Sequence, residues 1–204
     1  MSARKSTALH AIVLAAGASR RFGSPKQLAR VDGQSLLQRA IAHATDSVGA
    51  GVSVVLGAHA AAIAETLPPG SASLLINRNW QERIASSIRL GVQRLPGACD
   101  GVMLVLADQP LVASATLQRL ITAWRRQPRQ IVASHYASVT GVPAIFPRWC
   151  FPDLSSLRGD QGARVVIRRY MQHVVRLVHP EAAVDIDYPE DLLELSDLQK
   201  LPAP

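Results

Sequence analysis

Aromatic residues make up only 4% of this 204-residue chain, and its 48% hydrophobic content is carried mainly by Ala, Val, Leu and Ile. That scarcity tells against an aromatic-rich all-β sandwich and suits a parallel sheet covered by helices. Cysteine is nearly absent: Cys99 and Cys150 form no CxxC and no zinc spacing, so reduced thiols in a cytoplasmic protein are expected. No apolar run reaches the roughly 20 residues needed to span a bilayer. Acidic residues are outnumbered, 15 against 22 Lys and Arg, giving a formal charge of +7. The arginines are scattered and no basic block is interleaved with aromatics. The expected partners are therefore small anions such as phosphates, with neither nucleic acid nor membrane.

What is present is alternation. The start, Met1 to Gly17, is basic then apolar like a signal peptide, but it runs into Gly17-Ala18-Ser19-Arg20-Arg21 and reads as a first strand, His10 to Ala15, opening a loop. Helical spacing over Ser35 to Ala44, a strand at Val52 to Leu56 and a helix over Ala58 to Leu67 follow, stopped by Pro68-Pro69-Gly70. The series continues with a strand at Ser73 to Ile76 and a helix beginning near Ile84. Val102 to Leu106 is the most strand-like run, and a helix over Ala113 to Arg126 leads to a strand at Ile131 to Ser134. Such alternation predicts right-handed βαβ units in a mostly parallel sheet. Past Tyr136 the pattern loosens into a strand at Gly141 to Phe146, antiparallel to the rest. A helix at Gly162 to Met171, a strand at His173 to Val178 and a closing helix at Pro189 to Leu198 complete it. The expectation is one three-layer, Rossmann-like α/β domain over 1–204, with flexible ends at 1–8 and 201–204. Its ligands should bind beyond the carboxyl ends of the strands.

The loop after the first strand carries the clearest chemistry. Leu14, Ala15, Ala16 and Gly17 let backbone pass close to a ligand with N–H groups free for phosphate oxygens, and Ser19, Arg21 and Lys26 follow. Arginine and lysine there can neutralise a triphosphate. The spacing is neither Walker A nor GxGxxG, and an ordinary strand-to-helix turn with solvated basic residues fits it too. Asp108 follows the apolar run Val102 to Leu106 and precedes Pro110; it reads either as an Mg²⁺ ligand at the end of a central strand or as a helix N-cap. Asp185 and Asp187 alternate on a strand-like stretch and would face one side, to complete a metal site or to cap the final helix. The six histidines have no metal-ligand spacing. Ser86-Ser87 lacks a nucleophile elbow, and Trp80, Trp124 and Trp149 read as packing residues.

Leu14 to Leu28, LAAGASRRFGSPKQL, resembles the LAAGxSxRMGxxK signature of MobA-like nucleotidyltransferases, and its two alanines are similar to the molybdenum cofactor cytidylyltransferase branch. Further segments match in order. Ser87 and Gly91 fit the GxxxSxxxG helix start, Ala107-Asp108-Gln109-Pro110 fits ADQP, and Gly141-Val142-Pro143 fits GHP. Gly159 to Arg164 fits GDxGAR, and Asp185 to Asp191 fits DIDTPED.

The resemblance implies a nucleotide-diphospho-sugar transferase-like fold and transfer of CMP from CTP to the phosphate of a molybdopterin-type cofactor, with Mg²⁺ or Mn²⁺ as the metal. It implies Lys26, Arg21 and Asp108 as catalytic residues and Asp108 with Asp187 at the metal. The loop residues, Ser87 and Asp108 would hold the nucleotide, while Gly141, Pro143, Asp160, Gly162 and Arg164 would lie on the acceptor side. A molybdoenzyme is the implied recipient of the product. Two alternatives stand beside this: transfer to a sugar phosphate or other phosphorylated molecule, and a non-catalytic protein that binds and delivers the cofactor. Two positions depart from the family, Arg83 in place of the first glycine of GxxxS and Val142 in place of the histidine of GHP. Asp160 and Arg164, four apart, also fit a plain ion pair on a helix.

Overall fold

The computed structural model describes residues 8–199. Strand β1 (Leu9–Ala15) leads through the cleft loop to a two-residue hairpin, β2 (Arg30–Val31) and β3 (Gln34–Ser35), and then α1 (Leu36–Val48). Next come β4 (Val52–Leu56), α2 (Ala60–Glu65), β5 (Ser73–Ile76), α3 (Ile84–Gln93), β6 (Gly101–Leu106) and α4 (Ser114–Arg126). The remainder is β7 (Ile131–Tyr136), β8 (Val139–Pro147), α5 (Phe151–Ser156), α6 (Arg164–Arg169), β9 (Val174–Val178) and α7 (Asp191–Gln199). Seven strands form one sheet in the order β5-β4-β1-β6-β8-β7-β9. Only β8 runs against its neighbours, pairing antiparallel with β6 and β7.

Alternation along β1 explains the layers. Ala11, Val13 and Ala15 enter one core together with Leu37, Ala40, Ile41 and Ala44 of α1 and Leu117, Leu120 and Trp124 of α4. Ile12, Leu14 and Ala16 enter the other, with Ala85, Ile88 and Val92 of α3 and Val166 and Ile167 of α6. Burial on both faces is why β1 and β4 read as mostly hydrophobic runs, and their polar members, His10 and Ser53, are hydrogen-bonded to each other, Nε2 to Oγ at 2.9 Å. Ser35 starts α1 with a reciprocal cap: its hydroxyl accepts from the Gln38 N–H, and the Gln38 side chain accepts from the Ser35 N–H.

Some expectations need correction. Residues 1–7 and 201–204 lie outside the described residues, whereas the Ala8 N–H is tied to Asp100 Oδ2 at 2.9 Å. Asp185 to Asp187 is not a strand; it is an irregular segment, fixed where the Ile186 N–H donates to the Asp108 carbonyl at 2.9 Å. The α6 helix starts only at Arg164, so Asp160 lies in the preceding loop and shares no helix face with it. Gly91 serves the core, since a Cβ there would stand 2.8 Å from Ile12 Cδ1. The β2–β3 hairpin and α5 carried no legible periodicity, being two and six residues long. Among the described residues no helix is long and apolar enough to cross a membrane.

Candidate active site

A cleft of about 520 Å³ opens at the carboxyl ends of β1 and β6. Its floor is the loop from Leu14 to Arg21, and its walls include Trp80, Arg83 and Ser87 on one side and Asp108 and Asp187 on the other. Strand order sets this arrangement. Trp80 packs where β4 and β1 end, its Cβ standing 2.6 Å from where a Gly57 Cβ would be; Asp108 follows β6 on the far side of β1.

The loop is held open by its own side chains. Gln27, buried, donates from Nε2 to the carbonyls of Ala15 at 2.9 Å and Gly17 at 2.8 Å. The Ser19 hydroxyl donates to Gln27 Oε1 at 3.2 Å and accepts from the Lys26 N–H at 3.1 Å. Ser19 therefore shapes the turn, adopting φ +51°, and its hydroxyl is already engaged. A Cβ at Gly17 would meet nothing within 4 Å, so the backbone there faces open space. Gln27 was not singled out from the sequence: an amide that satisfies two loop carbonyls looks, in one dimension, like any surface glutamine.

Lys26 reaches across the cleft floor. Its Nζ donates to Asp108 Oδ2 at 2.7 Å, Asp187 Oδ1 at 2.8 Å and the Ile186 carbonyl at 2.7 Å. Burial by itself would lower the lysine pKa, but the two carboxylates outweigh it and hold it above the usual value. The Asp187 carboxyl is held below its ordinary range, chiefly by the hydrogen bond from Lys26. Arg21 adds a second contact, Nη1 to Asp187 Oδ2 at 3.2 Å, and lies over the Tyr188 ring. Asp185, beside them, is pushed up to about 6 by burial and by the charge of Asp108.

A small apolar cluster positions Asp187. Ile186 is fully buried among Val31, Leu36 and Leu195, with Phe22, Leu111 and Leu192 packed around them. Neither aspartate caps a helix: α4 begins after Ala113, and the turn before α7 is closed by the Asp191 carboxylate, which accepts from the N–H groups of Asp187 and Tyr188.

The donor set fits a divalent cation. Asp108 Oδ1 is buried and has no hydrogen-bond partner, and the neighbouring Asp187 carboxylate is separated from Asp108 only by the Lys26 ammonium. Among the described residues no cluster of three or more His, Cys, Asp or Glu could hold a metal unaided. Two carboxylates suffice for Mg²⁺ when water and substrate phosphates supply its other oxygens.

The expected acceptor residues divide. Asp160 lines the cleft, whereas Gly141, Pro143, Gly162 and Arg164 do not. Packing accounts for Gly141, where a Cβ would stand 2.9 Å from the Tyr136 hydroxyl. Pro143, in a cis peptide bond with Val142, has its carbonyl bound by the Ser134 hydroxyl at 2.8 Å. Ser87 lines the cleft, but its hydroxyl accepts from Asn77 Nδ2 at 2.9 Å. Trp80, expected only to pack, also lines the cleft. Arg83 retains a glycine-like backbone, φ +74° and ψ −161°, despite its side chain.

Residues 11–174 match the family model of the MobA-like NTP transferase domain. A molybdenum cofactor guanylyltransferase from Sinorhizobium fredii is 30% identical over 190 residues, 88% of this chain and 78% of that protein. The purine catabolism protein PucB of Bacillus subtilis is 27% identical over 172 residues, 80% of this chain and 82% of its own. The crystal structure of Rv0371c from Mycobacterium tuberculosis in complex with manganese superposes with a TM-score of 0.78 at 27% identity, covering 96% of this chain and all of that one (100%). The fold is nucleotide-diphospho-sugar transferase-like, as expected.

Proposed function

We infer, for a chain that belongs to the MobA-like NTP transferase family, that it transfers CMP from CTP to the phosphate of a molybdopterin-type cofactor and releases pyrophosphate. The observation that carries nucleotidyl transfer is the Lys26, Asp108 and Asp187 cluster set beside the open backbone at Gly17. It joins a cation site to a phosphate-binding loop, and a delivery protein would need neither. The choice of CTP and of this acceptor rests on the resemblance of Leu14-Ala15-Ala16-Gly17 to the cytidylyltransferase branch. That Rv0371c forms a complex with manganese supports a divalent metal for this chain.

In the proposed reaction an oxygen of the acceptor phosphate attacks the α-phosphorus in line. The new P–O bond forms as the bond from the α-phosphorus to its bridging oxygen breaks, and pyrophosphate departs with that electron pair. The attacking phosphate is already ionised near neutral pH, so no general base is required; alignment and charge neutralisation carry the rate. Asp108 and Asp187 would hold Mg²⁺ or Mn²⁺, which would polarise phosphate oxygens when bound. Lys26, released from the two carboxylates, and Arg21 neutralise charge growing on the departing pyrophosphate. The N–H groups of the loop from Leu14 to Gly17 orient the triphosphate, and Ser19 fixes the loop so that they face it.

A second reading, transfer of GMP from GTP, is favoured by the Sinorhizobium fredii relative, named as a guanylyltransferase. Pyrophosphate release measured with Mg²⁺ and molybdenum cofactor, for CTP, GTP, ATP and UTP in parallel, tests both. Release with CTP alone supports cytidylyl transfer, and release with GTP alone supports the second reading. No release with any of the four overturns the transferase assignment for this acceptor.

A further inference from the structure

Arg83 is the residue whose backbone the fold strains most plainly without a packing reason. At φ +74° and ψ −161° it occupies a region that is essentially restricted to glycine. The conformation is imposed from both sides. The Arg83 N–H donates to the Trp80 carbonyl at 3.0 Å, and its own carbonyl accepts from the Ser86 hydroxyl at 2.9 Å. Ser86 is itself buried, bound to the Asn79 carbonyl at 3.0 Å and to Asn77 Nδ2 at 2.8 Å. On one flank Glu82 is gripped by both terminal nitrogens of Arg89, at 2.8 and 2.7 Å. Glycine would satisfy every one of these backbone contacts free of strain, so nothing in the backbone calls for an arginine here.

The Arg83 side chain stands in the cleft wall and is nearly unspent. It is 65% exposed, and its ion-pair partner, Asp160 Oδ1, lies 3.6 Å from Nε, beyond hydrogen-bond length, on a carboxylate that is 81% exposed. Its place in the wall indicates what it meets. Lys26 and the two carboxylates that bind it, Asp108 and Asp187, stand on the side of the cleft where β6 ends. Arg83 belongs to the segment of Trp80, Ile84 and Ser87, on the side where β4 and β1 end. Two strand spacings, roughly 10 Å, separate the ends of β4 and β6. On the nucleotidyl-transfer reading above, a triphosphate anchored at Lys26 therefore extends its base toward the apolar surfaces of Trp80 and Ile84, with Arg83 at the base's polar edge.

We propose that Arg83 reads the base of the bound nucleotide, its guanidinium leaving Asp160 to donate two parallel hydrogen bonds to a pair of neighbouring acceptors. Cytosine offers such a pair at O2 and N3, and guanine at N7 and O6. Adenine and uracil set a donor beside each acceptor on the corresponding edges, leaving one N–H of the fork facing another N–H. Arginine does this where lysine cannot, because its planar fork matches two acceptors at fixed spacing. The exposed pairing with Asp160 costs little to break when the base arrives.

Titration calorimetry with CTP, GTP, ATP and UTP in Mg²⁺, without acceptor, tests this on the full chain. The wild type should bind CTP or GTP at least about tenfold more tightly than ATP and UTP. In Arg83→Gly that preference should collapse to within about threefold. The Arg83→Gly melting temperature should not fall, since relief of strain offsets the added freedom of the unfolded chain. Arg83→Lys, which keeps the charge, should lose the preference as well. The proposal is overturned if Arg83→Gly retains the wild-type ranking, if all four nucleotides weaken equally, or if the wild type shows no preference. A wild type that binds none of the four overturns the nucleotidyltransferase reading and this assignment with it. A ranking left intact in Arg83→Gly overturns the assignment alone.

Discussion

The Lys26 ammonium and the Asp108 carboxylate stand 2.7 Å apart, while the second oxygen of that carboxylate is buried and has no hydrogen-bond partner. Lys26 thus serves as counter-ion at the place where a divalent cation is proposed to bind. Asp187 shares the same ammonium at 2.8 Å, so one lysine keeps two neighbouring carboxylates from repelling each other.

Replacing Lys26 by alanine should lower the rate of pyrophosphate release by roughly a hundredfold or more, because a charge aimed at the leaving group is lost. Stability should respond differently. Melting in EDTA should fall clearly, as Asp108 and Asp187 lose their cation, and Mg²⁺ should restore much of the loss. An unchanged rate would remove Lys26 from the chemistry.

Metal removal should stop turnover, and Mn²⁺ titration followed by electron paramagnetic resonance should separate the two carboxylates. Asp108→Asn should weaken Mn²⁺ by more than the roughly 10–100-fold that loss of an outer-shell partner costs. Asp187→Asn should weaken it less, its side chain being 46% exposed against 26% for Asp108. Equal Mn²⁺ affinity in wild type and Asp108→Asn would place the metal elsewhere.

The sign of the acid response follows from Asp187. Its folded carboxyl titrates below the unfolded value of about 3.9, so its pairing with Lys26 stabilises the protein above that pH. That contribution is lost as pH falls through the folded value. Thermal melts should therefore drop as the pH goes below about 4, and Asp187→Asn should show a shallower drop over the same interval.

Gly91→Ala should lower stability by about 1–3 kcal/mol, since its Cβ would press on Ile12 in the core. Nucleotide affinity, measured by titration calorimetry, should be unchanged. A weakened nucleotide with an unaltered melting temperature would place Gly91 in the binding site.

Both thiols should resist Ellman's reagent in the native protein and react fully in urea. Cys99 and Cys150 are buried, and burial pushes the Cys150 thiol up to about 12. Because the unfolded thiol ionises near pH 8.5 while the native one keeps its proton, this group makes stability decline as pH rises above that value. Rapid native labelling of Cys150 would contradict the packing described.

Local chemistry made most of the elements legible. Leu36, Leu37, Ala40, Ile41 and Ala44 point to one helix face because of the 3.6-residue repeat, and the structure buries all five. The run Val52–Leu56, apolar at every position but Ser53, signals a strand covered on both sides, and all five of its residues are buried. The short hairpin at Arg30–Ser35 and the six-residue α5 escaped, being shorter than the period that would reveal them.

The candidate site was legible as a set of residues and not as an arrangement. Small residues before Gly17, a carboxylate after an apolar strand, and basic residues past the turn are chemical types that a sequence displays directly. Which carboxylate meets which cation is decided at long range. The Ile186 N–H to Asp108 bond and the burial of Ile186 bring Asp187 beside a lysine 161 positions away. Likewise Gln27, Trp80 and the strain at Arg83 take their meaning from backbone atoms supplied by other segments. The sequence by itself determined the strand–helix alternation and the chemistry available at the strand ends, because both depend on near neighbours and residue type. Only the tertiary structure decided that Lys26 bridges two aspartates and that Arg83 faces the cleft, because those relations exist only once distant segments are fixed against one another.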